Sequence, residues 1–190
     1  MNAQTEFIGE RCELHETKIQ RLPPLRDLMR ESKMLYHRGI EYMSTNIVKL
    51  HRVFRTSPDK VYRAFLDPDA MVKWLPPHGF TGKVDHVDAR VGGTYRMSFT
   101  NFGNGQSHSF GGEYLELVAN ERIVHTDKFD DPNLPGEMTA TITFKKVLVG
   151  TEVNIVQEGI PDVIPAEACY LGWQESLNLL ALLVEADIPG

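Results

Sequence analysis

Seven histidines (His15, His37, His51, His78, His86, His108 and His125) are the first side chains to test for chemistry. His86 falls in the strand-like stretch Val84 to Asp88, and His125 in Ile123 to Phe129. Side chains on one strand face recur every second residue, which groups His86 with Val84 and Asp88, and His125 with Ile123, Asp127 and Phe129. If those faces line a hollow, two imidazoles and the Asp127 carboxylate meet apolar surroundings, where burial and pairing tune them for proton transfer. The rival reading is a solvated strand residue, or a polar group that only orients a ligand. His78, in Pro76-Pro77-His78-Gly79-Phe80, lies in a loop beside the expected mouth of such a hollow. It is either a gate or a rigid proline turn with an exposed ring. His108 follows a hairpin loop and reads as a strand-entry residue.

Metal and cofactor chemistry find no foothold. No histidines pair with each other or with cysteine at ligand spacing, and Cys12 and Cys169 sit near opposite ends. Cys169 opens a helical stretch, where a lowered thiol pKa is one reading and a buried inert thiol the commoner one. There is no Gly-x-Ser-x-Gly elbow, and neither Gly92-Gly93 nor Gly103-Asn104-Gly105 fits a phosphate loop.

The aromatic supply is large for one small domain. Trp74, Tyr95, Phe99, Phe110, Tyr114, Tyr170 and Trp173, with Met97, are candidates to line a pocket for a flat or acyl ligand. The alternative is core packing, and several must be core. Tyr95 and Tyr114 carry hydroxyls that need partners if buried, which suits them to polar contacts in a pocket. Asn101, Glu116 and Gln157 are further polar strand residues. Gly111-Gly112 leaves strand parity around it open by one residue.

The elements that must position these residues follow from spacing. Val48, Leu50 and Phe54 alternate in a first strand. Ser57-Pro58-Asp59 and Asp67-Pro68-Asp69 are two helix starts, each with a cap, a proline and a first-turn acid. Val61, Tyr62 and Phe65, then Met71, Val72 and Trp74, give two short helices their apolar stripes. Strands are expected over Val84 to Asp88, Tyr95 to Phe99, Ser107 to Leu117, Ile123 to Phe129, Met138 to Phe144 and Thr151 to Glu158. Residues Ala166 to Val184 carry Tyr170, Trp173, Leu177, Leu180 and Val184 at helical spacing, with both aromatics expected toward the sheet. The fold class is therefore α+β: a curved antiparallel sheet of about six or seven strands on a long closing helix, with two short helices after the first strand. Such a sheet encloses a cavity against its helix.

Two segments are distinguished: an N-terminal arm over 1–44, with a helix at about 24–37 after Pro23-Pro24, and a cavity domain over 45–190. Seven acidic and seven basic residues cancel in the arm, so the net charge of −6 belongs to the domain. That sign gives no general attraction to nucleic acid or anionic membrane. No apolar run approaches a membrane span and the first ten residues do not read as a signal peptide. A reducing cytoplasm is the expected compartment. The apolar stripe of the arm helix, Leu25 to Tyr36, would be buried on its own domain or in a homodimer, with a lean to the latter.

The element order, with Arg55 to Phe65, Asp67-Pro68, Lys73-Trp74 and Val91-Gly92-Gly93-Thr94-Tyr95-Arg96, resembles the SRPBCC superfamily, the START-like helix-grip fold. Gly111 to Leu117, Glu121-Arg122-Ile123, Gly150 to Val153 and Gly172 to Leu177 continue the likeness, in order, over residues 46 to 184. The closer resemblance is to the branch named after the activator of heat-shock-protein-90 ATPase. It implies the helix-grip fold, and its members include carriers of hydrophobic ligands and polyketide cyclases. The leading expectation is a cofactor-free protein that binds a small hydrophobic or aromatic molecule between sheet and closing helix. Two others stand beside it: a cyclase- or hydrolase-type enzyme using His86, His125 and Asp127, and a co-chaperone-like interaction module. A shared fold does not choose among them.

Overall fold

The computed structural model describes residues 46–187. The arm expected over 1–44, its helix and the homodimer inferred from it lie outside the described residues.

Strand β1 (Ile47–Phe54) leads into helices α1 (Pro58–Ala64) and α2 (Pro68–Trp74). Asp67 caps α2 by accepting from the N–H groups of Asp69 and Ala70, and proline opens both helices, where its missing donor costs nothing. Six strands follow: β2 (Phe80–Val87), β3 (Thr94–Asn101), β4 (Ser107–Val118), β5 (Arg122–Phe129), β6 (Met138–Val147) and β7 (Gly150–Glu158). Helix α3 (Ala166–Val184) closes the domain. The sheet order is β1-β7-β6-β5-β4-β3-β2, antiparallel throughout. The chain thus meanders from one edge and returns its first strand to the other.

The alternation in the sequence becomes the inner face. Val48, Leu50 and Phe54 of β1, Ala140, Ile142 and Phe144 of β6, and Val153 and Ile155 of β7 are all buried. Helix α3 divides into two halves by what it covers. Leu177, Leu180 and Val184 pack into this core, whereas Cys169, Gly172 and Trp173 stand over open space. Arg52 donates to Asn178 and Arg55 to Glu185, joining the packed half of α3 to β1 and the turn after it. The Ser176 hydroxyl donates to Leu75 O at 2.6 Å and the His78 N–H to the Glu175 carboxylate at 3.0 Å. The loop after α2 is therefore held to the helix at both points.

Gly111-Gly112 does not break the ladder. It is a close approach: a Cβ at Gly111 would lie 2.3 Å from Tyr95 O, and one at Gly112 would lie 1.9 Å from Thr126 O. The register shift in β4 comes later, between Tyr114 and Glu116. A second shift, between Val84 and His86 in β2, falls in a strand that also begins earlier than its sequence pattern, at Phe80.

Candidate functional site

Between the inner sheet face and the N-terminal half of α3 lies a cavity of about 430 Å³, a volume in the range of small-molecule sites. Phe99, Phe110 and Phe129 form its sheet wall, Gly172 and Trp173 its roof, and Pro77, Phe80 and Ile164 flank it from the connecting segments. Phe110 stands edge-on to Phe99, with centroids 4.8 Å apart, and to Phe129 at 6.1 Å, so the wall is a continuous aromatic surface. A smaller chamber of about 60 Å³ lies deeper, against Met71, Met97, Tyr114, Ile123 and His125. Leu75, Phe110, Asp127 and Trp173 line both chambers.

Asp127 is the carboxylate of the site. It projects from β5 by the same alternation that turns Ile123 and His125 inward. Burial pushes its pKa up to about 7, while the Tyr95 hydroxyl and the Lys128 N–H beside it pull the other way. Its Oδ1 is the one buried side-chain oxygen or nitrogen without a hydrogen-bond partner among the described residues. Such an atom carries a desolvation cost that a bound donor would relieve.

Tyr95 and His125 complete the floor. The Tyr95 hydroxyl donates to Thr126 O at 3.0 Å and lies 3.1 Å from His125 Nδ1. His125 Nδ1 is also 3.0 Å from Thr126 O. A carbonyl only accepts, so Nδ1 carries the proton and the neutral ring keeps its lone pair on Nε2. Burial lowers the His125 pKa, which holds the imidazole neutral, and raises that of Tyr95 well above the usual phenol. On the roof side, Gln157 Oε1 accepts from Trp173 Nε1 at 2.7 Å and from Cys169 Sγ at 3.1 Å. Burial and the charge of Asp127 push the Cys169 thiol up to about 11, so this cysteine is not an activated nucleophile.

The family model for the Activator of Hsp90 ATPase homolog 1-like protein matches residues 55–185. The chain belongs to this family. The match spans everything from the end of β1 through α3, and so contains the whole cavity. A solved protein from Chromobacterium violaceum is 60% identical, with a TM-score of 0.74, and the alignment covers 75% of this chain and 99% of that one. A Nitrosomonas europaea protein at 23% identity covers 74% and 95% with a TM-score of 0.63, and one from Rhodobacter sphaeroides at 21% covers 74% and 92% with 0.64. At such identities these last two speak for the helix-grip fold alone. No curated protein sequence matches the chain.

Within this family fold, the expected site residues separate into two sets. Phe99, Phe110 and Trp173 line the large chamber, and Tyr95, Met97, Tyr114 and His125 the deeper one, with Asp127 common to both. Four others lie elsewhere. His86 is on the outer face, opposite Arg96, with Nε2 3.1 Å from Thr94 Oγ1. The register shift after Val84 turns it out and turns Val87 in, so parity read across that point misplaces it. Trp74 is fully buried, its Nε1–H donating to Ala64 O at 2.8 Å and its ring 4.6 Å from Phe65. It is core beneath the site rather than wall. His78 is exposed beside Glu175, the ring of a tethered proline turn. Tyr170 is 42% exposed, because the cavity face of α3 runs through Cys169, Trp173 and Ser176, about 100° round the helix from it. The sequence reading missed Gly172 as a wall and Gln157 as the partner of Trp173. A glycine within an otherwise regular apolar helix, and a glutamine inside an alternating strand, were the available signals. Among the described residues no group of acids, histidines and cysteines could hold a metal ion, and no helix is long and apolar enough to cross a membrane.

Proposed function

We propose that the chain binds a small, largely apolar molecule in the cavity between the sheet and α3, with Asp127 as its polar contact. The observation that carries this reading is the unfilled space beneath α3, roofed by Gly172. A Cβ built on Gly172 would meet nothing within 4 Å beyond its chain neighbours and the backbone of its own helix turn, although the residue sits inside a 19-residue helix. Glycine there costs helix stability of roughly 0.5–1 kcal/mol against alanine, with no packing to compensate it. A cavity kept open at that cost, walled by three phenylalanines, suits an occupant. Hydrophobic-ligand carriage within the superfamily agrees with it.

Binding of N-phenyl-1-naphthylamine, uncharged at neutral pH, tests the reading through its fluorescence. The parent is expected to bind it in the micromolar range or tighter, and Gly172→Phe, whose ring fills the roof, to weaken binding about tenfold or more. Gly172→Ala should retain it. No binding to the parent, or equal binding to Gly172→Phe, overturns the assignment.

A second reading is favoured by one observation, the ionisation of Asp127 near neutrality beside Tyr95 and His125. A carboxyl poised there can give or take a proton from a bound molecule, as a cofactor-free cyclase or hydrolase requires. Asp127 and His125 remain its candidates, without His86. Chemical change of a ligand co-purified with the parent but not with Asp127→Asn is what this reading requires.

A further inference from the structure

We propose that the cavity selects a hydrophobic amine, its protonated nitrogen seated on the Asp127 carboxylate and its apolar body against the Phe99–Phe110–Phe129 wall. The inference rests on the reading above that the cavity holds a small ligand, and names the chemistry of that ligand.

Charge is scarce in the two chambers. Their lining contains no lysine and no arginine. Its titratable side chains are Asp127 on β5, His125 on the same strand, Tyr95 on β3, Tyr114 on β4 and Cys169 on α3. Of these, Tyr95, Tyr114 and Cys169 all have pKa values raised by burial, and His125 has one lowered by it. All four are therefore neutral near pH 7, and Asp127 alone supplies charge. An anionic ligand would lose its hydration, find no cation and face Asp127. A neutral donor such as an alcohol would satisfy Oδ1 but do nothing for the cost of ionising the carboxyl. An ammonium group does both, since it donates to the orphaned oxygen and pairs with the charge that burial penalises. With a pKa of about 7, Asp127 reaches the carboxylate form at little cost once such a partner is present.

Calorimetry of the full chain at pH 8 with 4-phenylbutylamine, 4-phenylbutanol and 4-phenylbutanoate tests this, since the three share one apolar body. The amine is expected to bind about tenfold tighter than the alcohol, the difference between a charge-assisted and a neutral hydrogen bond, with the carboxylate weakest. Asp127→Asn should bring amine and alcohol within about threefold of each other, because the amine loses its charged partner and is weakened most. Asp127→Leu, of similar size and apolar, gives the same comparison should the amide disturb folding. The proposal is overturned if alcohol or carboxylate binds as tightly as the amine, or if the amine preference survives loss of the carboxylate. Should the alcohol and N-phenyl-1-naphthylamine bind without any amine preference, only the amine assignment falls. Should none of the four bind, the cavity reading falls with it.

Discussion

At the scale of single residues, the same burial shifts Asp127 and His125 in opposite directions. Burial raises the acid from its ordinary 3.8 to about 7 and lowers the imidazole from its ordinary 6.5. Between those ordinary values the folded protein keeps Asp127 protonated and favours neutral His125, whereas the unfolded chain carries an ionised acid and a charged imidazole. The two shifts therefore give pH slopes of opposite sign. The stability associated with protonated Asp127 is fully present below 3.8 and is lost as pH rises through about 7. That of neutral His125 is present above 6.5 and is lost as pH falls. Asp127→Asn should then gain on the parent as pH rises from 5 to 7, by about 1.4 kcal/mol per unit at most, and level off above. The same variant, with only the His125 half remaining, should lose stability on acidification below 6.5. Urea unfolding of both proteins at pH 5, 6, 7 and 8 measures this; a difference that stays constant over the series contradicts the buried acid.

Elements decide what residue types cannot, and two glycines show how. Gly112 sits where β4 touches β5, and a Cβ there would collide with the carbonyl of Thr126. That carbonyl also receives the Tyr95 and His125 hydrogen bonds, so it cannot move without disturbing the floor of the site. Gly172 sits where α3 spans empty space. Gly112→Ala is accordingly expected to cost about 3 kcal/mol or more, the range of backbone strain and overpacking, and Gly172→Ala to raise stability by up to about 1 kcal/mol. Equilibrium denaturation of the two variants checks both signs, and a stabilising Gly112→Ala would contradict the close approach. The same scale explains which site residues were legible. His125 and Asp127 lie on a strand whose alternation toward the cavity runs uninterrupted from Ile123 to Phe129, so parity places them correctly. His86 lies just past a register shift that no residue type announces, and parity carried across it inverts the face.

For the whole molecule, the sheet and the packed half of α3 share one apolar core, and several of its residues, such as Phe110 and Met138, also line the cavity. A ligand that binds only the folded state adds stability by mass action, about 2.7 kcal/mol at a hundredfold excess over Kd. For a domain of this size that corresponds to a rise in Tm of roughly 5–10 °C. Thermal unfolding with saturating N-phenyl-1-naphthylamine should show that rise in the parent and lose most of it in Gly172→Phe. An equal rise in both would place the probe elsewhere on the surface. The meander and the closing helix also place the floor and roof of the site on opposite layers, so its polar contacts join residues far apart in the chain, as Ser176 joins Leu75 and Tyr95 joins Thr126.

The amino-acid sequence alone determined the order of elements, the α+β class, the family resemblance and the inward stripe of β5, because each rests on local propensity or a period that one strand or helix displays by itself. It also marked out the aromatic supply. Only the tertiary structure decided which aromatics became wall and which became core, turned His86 outward, left Tyr170 exposed and paired Gln157 with Trp173. Those outcomes depend on register shifts and on how far α3 stands from the sheet, which are properties of contacts between elements. The orphaned oxygen of Asp127 belongs to the same class, since whether a buried acceptor finds a donor is settled only when all the surrounding elements are in place.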